Sequence, residues 1–232
     1  EYNEILKDTI DRVLSVSHCD MDAEALELIA QFVPSAEMIR FRLAGTEIVQ
    51  NAIRLARAYT GKNRFVRFDG HYHGDADNIM GGKSPKRGDP IPSDFVGDLK
   101  GTDGRAKDSL TQSYLLPWND ADILEQLFIE KGDEIAAVIT EPVCVNGGSV
   151  LPAPGYLKKV RDLCNQHNIL LIFDEIITGF RMGLGGAQKE YDVIPDLTTL
   201  GKALAGGGVP VSALVGKKEI MQLLAIKKVT HA

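Results

Sequence analysis

The sequence predicts an α/β fold built on a mostly parallel β-sheet. Segments with helical periodicity alternate with short runs rich in β-branched residues, the pattern of parallel strands joined by helices. Charged residues follow the ends of three separate apolar runs, as is typical where parallel strands end at a ligand-binding crevice. The length of 232 residues suits one large domain, or a large domain with appended segments.

The composition excludes several classes of protein. Hydrophobic residues make up 44% of the chain and charged residues 25%, so a disordered or low-complexity protein is excluded. The longest apolar run, Ile169 to Phe173, is too short to span a membrane, and no signal segment opens the chain. The net charge of −6 argues against a nucleic-acid-binding surface. Three scattered cysteines, without a CxxC pair, support neither a disulfide framework nor a zinc finger, and we expect a cytoplasmic protein.

The first half of the chain predicts two helices and one strand. Residues 22–33 carry apolar side chains at helical spacing, and Pro34 ends the pattern. Residues 46–60 form the strongest helical pattern, with one apolar face and Gly61 at its end. Residues 64–68 alternate like a strand. The stretch from Gly81 to Ser113 has no period, and a loop of that length is usually functional or mobile.

The second half predicts strands that alternate with helices. One helix is predicted over residues 120–131, ending at Gly132, a second opens at Pro154, and a third follows from Lys217. The predicted strands cover residues 136–140, 169–173, 197–200 and 211–215. Glu141, Asp174 and Lys202 follow the first three of these strands. We therefore expect three candidate functional groups at one edge of the sheet.

Asp174 and Lys202 each allow two interpretations. Asp174, at a strand end, is equally well explained as the cap of the following turn. Lys202 is equally well explained as an ordinary solvated lysine. The neighbours of Lys202 are small and apolar, however, and residues 206–208 are glycines that permit close backbone approach. We therefore predict that Lys202 is desolvated, which would make it a nucleophile able to form a Schiff base.

Two further segments carry candidate binding residues. Gly45 and Thr46 lie where the strongest helix begins, and a helix N-terminus suits a phosphate, although Thr46 as an N-cap explains the residues equally well. His71 and His73 form an HxH pair, but no third ligand accompanies them at metal spacing, so we expect no metal. Tyr72, between them, is either a core aromatic or an aromatic at the edge of the site. The simplest nucleotide, hydrolase and metalloprotease motifs are absent.

Together these residues supply an amine, an acid for a pyridinium nitrogen, an anion site and a flat aromatic. That set is typical of an enzyme that uses pyridoxal 5′-phosphate (PLP).

Four blocks of the sequence resemble the class III aminotransferases, and within them the glutamate-1-semialdehyde aminomutases. They occur in the order that the family has and extend over nearly the whole chain, except residues 81–113. The two long ones are the more specific. The blocks are FDEIITGFR at 173–181, PDLTTLGK at 195–202, GTE at 45–47 with AIRLARAYTG at 52–61, and YHG at 72–74.

The resemblance implies the large domain of fold type I, with helices on both faces of a mixed, mostly parallel sheet, spanning residues 1–232. It also implies PLP as the cofactor, with Lys202 forming the Schiff base and moving the substrate proton, and Asp174 pairing with the ring nitrogen. The other implied cofactor contacts are Gly45 and Thr46 to the phosphate, Tyr72 and Ile176 to the two ring faces, Asn146 to the phenolic oxygen, and Glu141 in an undefined role.

The implied activity is amino transfer from a small-molecule donor to a keto or aldehyde carbon, by a ping-pong aldimine/ketimine mechanism. An aminomutase acting on glutamate-1-semialdehyde is one alternative, and a non-catalytic dimerisation or scaffold domain is another. Residues 101–118 are similar to aminotransferase domains of hybrid polyketide/nonribosomal-peptide synthases, including the microcystin type, which implies an acceptor held on a carrier protein as a further option.

Two residues depart from the family pattern, since Ala44 replaces a common serine and His71 replaces a common cysteine. We also expect the chain to be part of a longer protein, without that protein's small-domain segments. We expect this chain to be poorly active by itself, and the complete protein to form a homodimer.

Overall fold

Seven strands form one mixed sheet in the part of the chain that the structure describes. In this computed structural model the described residues are 2–12, 20–86, 88–90, 101, 103–206, 208–226 and 229. The strands lie in the order β1-β7-β6-β5-β4-β2-β3. Strands β2 to β6 run parallel to their neighbours among themselves, whereas β7 is antiparallel to both β6 and β1, which confirms the predicted mostly parallel sheet. The strands are β1 (Met38–Arg42), β2 (Arg64–Phe68), β3 (Ser113–Leu116), β4 (Ile135–Thr140), β5 (Leu170–Glu175), β6 (Leu197–Leu200) and β7 (Ser212–Gly216).

Helices cover both faces of this sheet, as predicted. They are α1 (Tyr2–Arg12), α2 (Asp20–Phe32), α3 (Gly45–Thr60), α4 (Ala121–Lys131), α5 (Tyr156–His167), α6 (Gly186–Glu190) and α7 (Lys218–Ala225). Along β5, Leu171 and Phe173 belong to the apolar cluster that contains α4 and α5. Ile172, between them, belongs to the cluster that contains α3 and α7. Because successive strand side chains point to opposite faces, this alternation produces two apolar layers, one on each side of the sheet.

The strongly patterned elements lie where the sequence predicts them. Helix α3 ends at Gly61, whose φ of 73° is left-handed and whose N–H donates to the Arg57 carbonyl oxygen at 2.9 Å. Helix α4 begins after Asp120, which accepts a hydrogen bond from the Ile123 N–H. The helix predicted to open at Pro154 begins two residues later, because Gly155 has a left-handed φ of 77° that precedes the first helical turn.

Four elements were not predicted from the sequence: α1, β1, β3 and α6. All four side chains of β3 are buried, so the strand shows no apolar–polar alternation. Residues 81–113 are not wholly without structure, since Lys107–Thr111 form a 3₁₀ turn and Ser113 begins β3. Residues 87, 91–100 and 102 of that stretch, and Cys19 and Gly207, lie outside the described residues. No helix in the described ranges combines the length and apolar character needed to cross a membrane.

Asp196 and Glu175 are buried carboxylates whose hydrogen bonds join several elements in the middle of the sheet. Asp196, just before β6, accepts from Arg161 and from the Leu171 N–H, each at 2.7 Å, and pairs with the Lys217 ammonium at 2.6 Å. Burial raises the pKa of Asp196, but Arg161 and these donors outweigh burial and hold the pKa below its usual value. Asp196 thereby ties the start of β6 to α5, β5 and the start of α7.

Glu175 anchors the loop that follows β5. Its carboxylate accepts from the Thr178 hydroxyl, the Ala187 N–H, and both the backbone and side-chain N–H groups of Gln188, at 2.6–3.2 Å. Burial raises the pKa of Glu175, and the four donors partly oppose that rise. The segment that begins with Ile176 is therefore held firmly at the end of β5.

Candidate active site

The predicted functional groups lie around one cavity at the carboxyl ends of the central strands. Strands β4, β5 and β6 are neighbours in the sheet, so the groups at their ends are brought together. They border a cavity of about 560 Å³, called the main cavity below, which the first turn of α3 also borders. All eight residues predicted from the sequence line it: Gly45, Thr46, Tyr72, Glu141, Asn146, Asp174, Ile176 and Lys202.

Asp174 is a buried carboxylate with three hydrogen-bond donors. Its side chain is 4% exposed. One oxygen, Oδ2, lies 2.7 Å from His73 Nδ1, and the other, Oδ1, accepts from the Thr199 hydroxyl at 3.0 Å and the Ile176 N–H at 3.2 Å. Donors to both oxygens satisfy the buried carboxylate and set its orientation. The alternative of a simple turn cap accounts only for the Ile176 contact.

His73 is a site residue that the sequence reasoning missed. It was considered only as half of an HxH metal pair, whereas its side chain, buried and in contact with Asp174, lines the main cavity. His73 lies in a loop, where no periodic pattern marks a residue, so only the tertiary structure reveals its pairing with Asp174. Among the described residues, no cluster of histidine, cysteine, aspartate and glutamate side chains is arranged to hold a metal ion.

Glu141 positions two other residues of the cavity. Its carboxylate accepts from the Tyr72 N–H at 2.7 Å, the Val145 N–H at 2.8 Å, and the Asn146 side-chain amide at 2.8 Å. The Asn146 N–H also donates to it, at 3.3 Å. Glu141 therefore holds the loop after β4 against the loop that carries Tyr72.

The first turn of α3 forms one end of the cavity. Ala44 is the N-cap and makes no side-chain capping bond, so the interpretation of Thr46 as the N-cap is wrong. The Thr46 hydroxyl instead donates to Asp75 at 2.9 Å. Backbone N–H groups in a first helical turn have no intrahelical partner, and they attract anions together with the helix dipole. Gly45 and Thr46, which line the cavity, lie in this turn.

Two glycines let the chain pack closely around that turn. A Cβ atom on Gly45 would lie 2.9 Å from Ile176 Cδ1. A Cβ atom on Gly74, whose φ is +101°, would lie 2.5 Å from the Thr46 hydroxyl oxygen. Any larger residue at Gly74 must therefore push the loop away from α3.

Tyr72 and Lys202 present their side chains to solvent at the cavity. Tyr72 is 53% exposed, so it is not a core aromatic. The prediction that small neighbours desolvate Lys202 is wrong, since Lys202 is exposed in this chain. The reason is that Lys202–Ala205 form a 3₁₀ turn beside residues 208–210, which are themselves exposed and cover little. Lys202 has a φ of 45°, a left-handed conformation that is uncommon for residues other than glycine.

Comparison with known proteins supplies a family for this site. A family model described as "Aminotransferase class-III" matches residues 3–232. Glutamate-1-semialdehyde 2,1-aminomutase 1 of Lachnoclostridium phytofermentans is 46% identical over 207 residues, covering 89% of this chain and 46% of the relative.

Solved structures agree with this match. An omega-transaminase from Sphaerobacter thermophilus superposes with a TM-score of 0.85 at 33% identity, covering 99% of this chain and 53% of that one. A structure described as a transaminase with PLP bound has a TM-score of 0.81 at 25% identity, covering 94% of this chain and 50% of that one. The chain thus spans about half the length of the proteins it matches.

Proposed function

Because the chain belongs to the class III aminotransferases, we propose that it is the PLP-binding part of an enzyme that transfers an amino group to a keto or aldehyde carbon. Class III aminotransferases and aminomutases use PLP. The observation that carries the proposal is a single cavity that joins a buried carboxylate, Asp174, to an exposed amine, Lys202, and a helix N-terminus. When bound, PLP supplies an electron-withdrawing ring that stabilises negative charge on the substrate carbon.

The residues of the main cavity fit that cofactor. Its phosphate suits the first turn of α3 at Gly45 and Thr46, where free N–H groups and the helix dipole favour an anion. The exposed ring of Tyr72 and the side chain of Ile176 offer flat and apolar surfaces for the two ring faces. Asn146, held by Glu141, would hydrogen-bond the phenolic oxygen.

Asp174 would pair with the protonated ring nitrogen. Its two oxygens already accept from His73, Thr199 and Ile176, so the carboxylate is held in one orientation before any ligand arrives. A preorganised negative charge needs little rearrangement to stabilise a nearby positive one.

Lys202 would bind the cofactor covalently and later carry the proton that leaves the substrate carbon. A lysine is suited to both tasks because its amine is a nucleophile and, once released, a base. Its place at the end of β6, next to the strand that carries Asp174, puts it at the same cavity.

The first test is a trapping experiment on the whole protein. We expect borohydride to trap PLP on Lys202, detected by mass spectrometry of peptides, and Lys202→Ala to abolish the adduct. Lys218→Ala, which replaces an exposed lysine outside the main cavity, is the matched control and should keep the adduct. An adduct on another lysine would remove the assignment. A protein that never develops an absorbance band with PLP would favour the scaffold alternative.

An intramolecular aminomutase is the second candidate, and it is favoured by the aminomutase from Lachnoclostridium phytofermentans at 46% identity. The whole protein should be given glutamate-1-semialdehyde without an amino donor, and separately a β-ketoacyl thioester with donors such as glutamate. Conversion of glutamate-1-semialdehyde, without amination of the thioester, supports the aminomutase. Amination of the second supports a transaminase, and a preference for the same acyl group on a carrier protein supports the synthase option.

For the whole protein we further propose a cytoplasmic homodimer. Its mass in solution, measured by light scattering, should be twice that of one polypeptide; a monomer with full activity would contradict this.

A further inference from the structure

The carbonyl group of Ala44, the N-cap residue of helix α3, accepts two hydrogen bonds. One comes from the Ile48 N–H at 3.1 Å and is the first hydrogen bond of the helix. The other comes from the hydroxyl of Ser212 at 3.0 Å. Ala44 makes no capping bond with its own side chain. Its peptide group is therefore held by a side chain from another element of the fold.

Ser212 is placed firmly by the sheet. It is the first residue of β7 and is 1% exposed. Strand β7 pairs with β1, where Ser212 lies opposite Arg42, and on its other side with β6, the strand that ends just before Lys202. Ser212 lines the main cavity, as do Gly45 and Lys202. A hydroxyl on a strand with two partners can hold Ala44 in one place.

The Ala44 carbonyl and the Gly45 N–H belong to the same peptide unit. That unit is planar and trans, so the two groups point in opposite directions. The carbonyl points along the helix toward the Ile48 N–H, and the Gly45 N–H therefore points out of the helix at its N-terminus. Because Gly45 is the first helical residue, this N–H has no partner inside the helix. A hydrogen bond that fixes the carbonyl thus also fixes the direction of a free N–H at the main cavity.

We propose that Ser212 is a positioning residue for the phosphate group of PLP. The inference rests on the proposed function, which assigns that phosphate to the first turn of α3. The Ser212 hydroxyl holds the Ala44–Gly45 peptide so that the Gly45 N–H is directed at the phosphate before the cofactor binds. Donation to the carbonyl also polarises the peptide unit, which makes its N–H a stronger donor.

Pyridoxal, which has the ring and aldehyde of PLP but no phosphate, isolates this role. Dissociation constants of both compounds are measured by absorbance titration of the PLP-free whole protein. We expect Ser212→Ala to weaken PLP binding about tenfold, the effect of one impaired hydrogen bond to a charged group, and to leave pyridoxal binding unchanged. Ser212→Thr keeps a hydroxyl on a side chain suited to a strand, so the ratio of the two constants should stay that of the unmodified protein.

Ser109→Ala is the matched control. Ser109 is also buried, at 4% exposed, and its hydroxyl likewise donates to a backbone carbonyl, that of Ala106, but it lies outside the main cavity. The ratio of the two dissociation constants should be unchanged in this variant. Because the ratio is compared within each protein, a variant that folds less well still gives an answer. Equal weakening of PLP and pyridoxal in Ser212→Ala overturns the proposal, since a purely structural role would affect both.

A crystal structure of the PLP-loaded whole protein tests the geometry. It should place Ser212 Oγ within about 3.2 Å of the Ala44 carbonyl oxygen, and the Gly45 nitrogen within about 3.2 Å of a phosphate oxygen. A Ser212 hydroxyl bonded to the phosphate itself overturns the positioning role. Failure of the proposed function has a different signature, because the unmodified protein would then show no absorbance change with either PLP or pyridoxal.

Discussion

At the scale of single residues, Asp174 shows how the fold orients a buried carboxylate. The carboxylate is buried, yet His73, Thr199 and Ile176 donate to it, so burial does not leave it unpaired. Carboxylates without such partners are costly to bury and become protonated. The donors therefore hold the carboxylate in one orientation, as the proposed chemistry requires.

Asp174→Asn tests that charge directly. An asparagine retains an oxygen for two of the donors but cannot offer a negative charge to a ring nitrogen. We expect the whole protein still to bind PLP, with kcat reduced by roughly 10²-fold or more. Asp162→Asn, at an exposed position on α5, should leave kcat unchanged. Turnover close to that of the unmodified protein in Asp174→Asn would show that the carboxylate has another role.

At the scale of elements, the site depends on how closely the loop after β2 approaches helix α3. Gly74 lies against Thr46 in the first turn of that helix, and its φ is left-handed. The end of the main cavity at α3 is therefore shaped by a contact between two elements, and neither element contains the whole of it.

Replacing Gly74 with alanine tests this contact. We expect Gly74→Ala to lower the free energy of unfolding by roughly 1–3 kcal/mol, as overpacking does, and to weaken PLP binding. Gly104→Ala is the matched control, because its φ of +86° is also left-handed but a Cβ there meets no atom within 4 Å. Urea unfolding and PLP titration of both variants provide the comparison. Equal losses of unfolding free energy and PLP affinity in the two variants would mean that only backbone conformation matters at Gly74.

At the scale of the whole molecule, the stability of the fold should depend on the charge state of His71. The ordinary pKa of 6.5 is lowered to about 2 in the fold, chiefly by burial. Below pH 6.5 the unfolded chain therefore binds a proton that the folded chain does not, so acid favours unfolding. Each pH unit below 6.5 should cost up to about 1.4 kcal/mol until the pH approaches the folded value.

Urea unfolding at pH 7.5 and pH 5.5 measures this effect. The free energy of unfolding of the whole protein should fall more between these values than that of His71→Asn, which has no ring to protonate. The comparison uses the change with pH in each protein, so an overall loss of stability in the variant does not affect it. Identical changes with pH would show that His71 is protonated in the fold.

Much of the fold could be predicted because its central elements carry strong local patterns. Helix α3 has an apolar face and a glycine end, and β5 is a continuous apolar run. Strand β1 was missed because its residues are only partly buried and its pairing partner β7 is distant in the chain. The five-residue helix α6 is too short to show a helical period.

The sequence by itself determined which chemical groups follow which strands, and so placed Glu141, Asp174 and Lys202 at one edge of the sheet. Only the tertiary structure decided which groups meet. His73 lies 101 residues from Asp174 along the chain and reaches it because β2, β4 and β5 are adjacent in the sheet. Exposure of Lys202 was likewise decided by the turn around it. Local periodicity reports burial and secondary structure, whereas contacts between distant residues depend on strand order and on the packing of loops.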